Sequence, residues 1–114
     1  MNRRFFILGA TLGLGVAPVL AQQDVLRAAF DAKSELDRRL IQLELQLMEL
    51  YPAEIDMRFG PMTRNGLIEA SRQIAERTDG EMRFDLDDPE EAARFLELMA
   101  REQFMFMYDD GFEG

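Results

Sequence analysis

Two prolines and a glycine, Pro52, Gly60 and Pro61, interrupt a chain otherwise patterned for helix, and they dictate where it turns. The stretch that contains them reads Leu-Tyr-Pro-Ala-Glu-Ile-Asp-Met-Arg-Phe-Gly-Pro-Met-Thr-Arg over residues 50–64. Proline suits the first position of a helix, where its missing N–H would have no partner anyway, and Gly60 before it can take up the bend. Pro61 therefore opens a helix, and Leu50 to Gly60 forms a corner leading into it. Ile55 and Phe59 are the two large apolar residues between the prolines, and they read as plugs that pin the loop onto its neighbours.

On both sides of the corner the apolar residues recur at helical spacing. Asp24 is a candidate cap for a short helix carrying Val25, Leu26, Ala29 and Phe30. Ser34-Glu35-Leu36-Asp37 fits either a second helix start or a polar stretch within one long helix. Beyond it Leu36, Leu40, Leu43, Leu47 and Leu50 step by four and three, and Ile41, Leu45 and Met48 form a second stripe. A helix so apolar is expected to be central and touched from two sides. A coiled-coil seam is the alternative, but fewer than three heptads precede Pro52.

After the corner, residues 61–77 form the next helix, with Leu67, Ala70 and Ile74 inward and Arg64, Glu69, Arg72 and Glu76 outward. Gly66 inside it costs about 1 kcal/mol against alanine, which suits a place where another helix crosses closely. Thr78-Asp79-Gly80 stops the helix. Met82, Phe84 and Leu86 then alternate with polar residues, as an extended segment laid over the core would. Asp87, Asp88, Pro89, Glu90 and Glu91 form a helix start, with an aspartate cap, and Ala92, Phe95, Leu96, Met99, Phe104, Phe106 and Met107 are assigned to a long last helix. The expected fold is all-α, one helical domain over residues 22–108 with an acidic tail at 109–114.

The N-terminus reads as an export signal: Arg3 and Arg4, an apolar run from Phe5 to Val16, and Val19 and Ala21 placed for cleavage after Ala21. Either the general secretory or the twin-arginine route fits Asn2-Arg3-Arg4-Phe5-Phe6-Ile7. The expected location is periplasmic or secreted, without stable membrane insertion once the signal is removed. Cleavage leaves eleven Lys/Arg against 22 Asp/Glu, a net charge of −11. Such a chain repels nucleic acid and anionic lipid, which are bound chiefly through cationic side chains. With no cysteine and no histidine, thiol nucleophiles, histidine triads and ordinary zinc sites are excluded. Carboxylate pairs remain, yet a glycosidase needs a deep cleft with one buried acid, and no enzyme activity is expected.

Residues 41–71 resemble the peptidoglycan-binding-like domain, a small three-helix module. Its pattern is an apolar-Gln start, Leu at +4, an apolar residue at +7, aromatic-Pro, Ile-Asp-Gly, Phe-Gly-Pro and then Thr-Arg. Here these are Ile41 and Gln42, Leu45, Met48, Tyr51 and Pro52, Ile55 and Asp56, Phe59 to Pro61, and Thr63 and Arg64, with no gap. Glu49, Ala53 and Met57 stand where the family has glycines, and Ala70 where it often has phenylalanine. The resemblance implies a small orthogonal helical bundle, with its family core at residues 36–80 and extra helices at both ends. It further implies a noncatalytic cell-wall-binding or wall-enzyme-associated protein with no cofactor. Its partner is then peptidoglycan or a wall-associated protein.

The candidate ligand site is Tyr51, Asp56, Arg58, Phe59, Thr63 and Arg64. Aromatic faces take sugar C–H groups, planar polar groups take ring hydroxyls, and arginine takes stem-peptide carboxylates in a fork. The alternative is that Phe59 is core, Asp56 bonds its own turn and the arginines are solvated. A second surface is Phe104, Phe106, Met107 and Tyr108, whose Phe/Met character suits docking of a partner or self-association, if it does not wrap into its own domain. A protein-interaction module that keeps the fold without sugar binding is therefore the alternative function. The acids Asp85, Asp87, Asp88, Glu90 and Glu91 lack the spacing of a calcium loop and are read as helix capping, so no metal is expected.

Overall fold

The computed structural model describes residues 24–108. The expected signal peptide and the acidic tail lie outside these residues. Four α-helices follow in order: α1 Val25–Asp31, α2 Glu35–Leu47, α3 Pro61–Arg77 and α4 Pro89–Ala100, with a single 3-10 turn at Met105–Met107. Among the described residues there is no strand, and the fold is all-α.

The helix starts follow local chemistry. Ser34 opens α2 as a separate helix: its Oγ accepts from the Asp37 N–H at 3.1 Å, with Glu35 and Asp37 in the first turn. Asp88 caps α4 by accepting from the Glu91 N–H at 3.0 Å, and Glu91 Oε1 accepts from the Asp85 N–H at 2.7 Å. Part of the acidic cluster is thus engaged in holding the α4 entrance. Asp24 precedes α1 without capping it through its side chain.

The ends of α2, α3 and α4 share one geometry. At the end of α2 the Leu50 N–H reaches the Leu45 carbonyl and the Glu49 N–H the Gln46 carbonyl. The same paired bonds close α3 at Asp79 and Gly80, and α4 at Glu102 and Gln103. This is the Schellman closure, whose turning residue is left-handed and usually glycine. Here those residues are Glu49, Asp79 and Glu102, with φ of 65°, 55° and 59°.

The core is one cluster built from Phe30, Ile41, Leu45, Leu67, Ala70, Ile74, Ala92, Phe95, Leu96, Met99 and Phe104, all fully buried. α4 packs on both α1 and α2, and α3 closes against α2. Phe84, from the extended segment before α4, joins Phe95 and Phe104 with ring centroids 5.1 and 6.2 Å away. Gly66 is where α3 meets the end of α2: a Cβ there would lie 2.8 Å from the Leu50 carbonyl oxygen and 3.2 Å from a Leu45 methyl. The close crossing read from the sequence is present.

Two expectations are corrected. The stripe Leu36, Leu43 and Leu47 is not core but exposed. The buried face of α2 is Ile41, Gln42, Glu44 and Leu45, because the corner folds back over Gln42 and supplies its partners, while Tyr108 from the C-terminal turn covers Glu44. The last helix does not run through Phe106. It ends at Ala100, and the chain reverses at Glu102, so that Phe104 enters the core while Met105 and Phe106 stay at the surface.

Candidate functional site: the corner between α2 and α3

Gln42 organises the corner. Its Oε1 accepts from the Asp56 N–H at 3.1 Å and the Met57 N–H at 2.8 Å. Its Nε2 donates to the Arg58 carbonyl at 2.9 Å, Thr63 Oγ1 at 3.0 Å and Asp56 Oδ1 at 3.2 Å. One fully buried amide thereby satisfies the backbone of three successive loop residues. One turn later on α2, Gln46 Nε2 donates to the Ala53 carbonyl at 2.9 Å. Arg38 ties the corner to the start of α2, with Nε on the Met57 carbonyl at 3.0 Å and Nη1 on the Lys33 carbonyl at 2.7 Å. In the sequence Gln42 stands out only as part of the motif, and nothing marks Arg38. A pair of glutamines four apart on an otherwise apolar helix face, preceding a loop with many unpaired amides, was the available signal.

Most proposed site residues take part in this frame. Asp56 Oδ1 accepts from the Arg58 N–H at 2.9 Å, and this bond, with that from Gln42, holds the carboxyl below the ordinary aspartate range. Thr63 Oγ1 donates to the Arg58 carbonyl at 3.3 Å. Tyr51 is buried, its hydroxyl donating to the Glu54 carbonyl at 3.1 Å, and burial raises its pKa. Phe59 is buried against Phe30, centroids 5.6 Å apart, with the guanidinium carbons of Arg27 and Arg64 5.9 and 5.2 Å from its ring centre. Met57 turns the loop with φ of 60° at one of the positions where the family has glycine. Glu49 does the same at a second, whereas Ala53 at the third does not.

Five of the six candidates line one shallow hollow of about 440 Å³: Tyr51, Asp56, Arg58, Phe59 and Thr63, with Pro61 and Met62 completing its wall. Arg58 stands out among them, exposed and with no side-chain hydrogen bond or ion pair to any described residue. Arg64 is not part of the hollow. It points to a cleft of about 770 Å³ on the α3 side, shared with Leu26, Ile68, Arg72, Arg83 and Phe84, and lies 3.8 Å from Asp24.

The docking candidates divide as well. Phe104 is fully buried and unavailable to a partner. Phe106 is exposed, Met107 is half-buried against the core, and the Tyr108 hydroxyl donates to Glu44 Oε2 at 2.8 Å. Glu44 is itself buried, and its Oε1 has no hydrogen-bond partner among the described residues. Burial raises its pKa, the Tyr108 bond opposes that, and the nearby Glu102 charge adds to it. These residues define the class as an all-helical module whose apolar core is closed by a hydrogen-bonded corner. Neither the protein-family models, the curated proteins nor the solved structures contained a match to this chain.

Proposed function

We propose that the chain is a noncatalytic, exported module that binds peptidoglycan in the bacterial periplasm through the hollow of the corner. The observation that supports this is the convergence of five candidate residues on one hollow with an exposed guanidinium at its rim. Arg58 is placed to take a stem-peptide carboxylate, while Met62 and the edge of Phe59 give an apolar wall for a sugar or a peptide methyl group. The frame beneath is held by its own hydrogen bonds, so a ligand meets a preformed surface.

A second reading is an interaction module without sugar binding, docking through the C-terminal turn. It is favoured by the exposure of Met105 and Phe106 and by the internal use of the polar groups of Tyr51, Asp56 and Thr63. Co-sedimentation of the full chain with insoluble peptidoglycan at low and moderate salt separates the two. Under the first reading the protein pellets, Arg58→Ala releases it, and Arg64→Ala, outside the hollow, does not. A protein that stays in the supernatant at both salt concentrations refutes wall binding. Loss of a captured partner on Phe106→Ala would support the second reading.

A further inference from the structure

The cleft along α3 is larger than the corner hollow and is built by other residues. Arg64, Ile68, Ser71 and Ala75 recur at steps of four, three and four, so one stripe of α3 forms a wall about 16 Å long at 1.5 Å per residue. Leu26 and Phe84 give a buried apolar floor, and Ile68, 48% exposed, stands beside it. The opposite wall is the extended segment before α4. Among the described residues nothing hydrogen-bonds to the main-chain N–H or carbonyl of Arg83 or Phe84, and in an extended chain two neighbours direct these groups to opposite edges. Of the charges on the rim, Arg72 is taken up by Glu69 and Glu76, and Arg64 pairs with Asp24. Arg83, Asp79 and Asp87 are exposed and make no side-chain hydrogen bond or ion pair among the described residues.

We propose that this cleft binds an extended peptide, which pairs with the main chain at Arg83 and Phe84, lays alternate apolar side chains on the floor, and carries both an acidic and a basic residue. The wall matches about five extended residues at roughly 3.3 Å each. A peptide laid beside an open extended segment gains main-chain bonds whatever its sequence, and its alternate side chains then meet Leu26, Ile68 and Phe84. A helical partner fits less well, because its main-chain groups are spent within the helix. Charge sets the rest of the preference. A carboxylate on the peptide forms a forked bond with the Arg83 guanidinium, and a lysine or arginine meets Asp79 or Asp87. A peptide of one sign only would meet like charge on the same rim. The cleft shares no residue with the corner hollow, so its ligand does not depend on what binds there.

Selection of a phage-displayed random octapeptide library on the full chain, followed by fluorescence anisotropy of a labelled enriched peptide, tests the proposal. Enriched sequences should alternate apolar residues and carry an acid together with a base. Arg83→Glu or Ile68→Glu should raise the dissociation constant at least tenfold. Both positions are exposed, so the far-UV circular dichroism should not change. Replacing the acid of the peptide by lysine should weaken binding to the wild type and restore it to the Arg83→Glu protein. N-methylation of every second peptide amide should abolish binding in one register and spare it in the other. Absence of any enrichment over the unselected library overturns the proposal, as does a peptide bound equally by the wild type and both variants. Equal binding of the two N-methylated registers overturns the main-chain pairing.

Discussion

Replacing Glu49 by glycine should make the protein more stable. Glu49 closes α2 with φ of 65°, a conformation that costs an ordinary L-residue roughly 1–2 kcal/mol. Glycine avoids this strain but loses about 0.5–1 kcal/mol more chain entropy on folding. The side chain of Glu49 is exposed and makes no hydrogen bond or ion pair among the described residues, so its removal leaves no gap. The difference favours Glu49→Gly by roughly 0.5–1 kcal/mol. In a domain of this size that raises Tm by about 2–8 °C. Ala53→Gly is the matched comparison. Ala53 also stands where the family has glycine, but it is not left-handed, so the entropy cost is unopposed and stability should fall by about 0.5–1 kcal/mol. Thermal and urea unfolding of the full chain, followed by circular dichroism, measures both. Equal effects of the two substitutions, or a lower Tm for Glu49→Gly, would refute the reasoning.

Gln42→Ala should destabilise the fold by about 3–5 kcal/mol, since it leaves the Asp56 and Met57 amides without their partner and removes the donor to Thr63 Oγ1; urea unfolding measures this. Gly66→Ala should cost about 1–3 kcal/mol, because the new methyl meets the Leu50 carbonyl, a backbone atom with little room to retreat; its thermal midpoint checks this. Glu44→Gln should stabilise at pH 7 and have a smaller effect near pH 4. The folded pKa of Glu44 is raised, so the folded state holds its proton more tightly, and stability falls as pH rises from the ordinary glutamate range through that raised value. Unfolding curves across pH for both proteins should show the wild type losing that contribution and the variant not.

The punctuation was legible in the sequence, and the orientation of α2 was not. Asp88 bonds a backbone amide three residues on and Pro61 lacks the N–H that a helix interior would need, so the starts of α3 and α4 could be read locally, whereas Ser34 fitted two readings until its bond to Asp37 decided between them. Gly66 announced the close crossing because a glycine inside a helix is costly unless a neighbour needs the space of a Cβ. The end of α4 was missed because Glu102 takes the left-handed turn usually marked by glycine. The α2 faces were misjudged because Gln42 and Glu44 count as polar until partners from residues 56–63 and 108 cover them. Hydrophobic periodicity sees two leucine-bearing stripes and has no term for an amide that a distant loop will satisfy. At the candidate site the sequence found the residues of the hollow but not the division between those that build it and Arg58, which only borders it.

That division has an evolutionary consequence. Gln42 fastens the corner through main-chain atoms of Asp56, Met57 and Arg58, and at residue 58 only the carbonyl is engaged by the amide. The identity of the side chain at the rim is therefore nearly independent of the loop's folding. Selection can exchange a basic group there for an acidic, aromatic or neutral one in a single step while the scaffold stays intact, so descendants of one fold can acquire different ligands without passing through an unfolded ancestor.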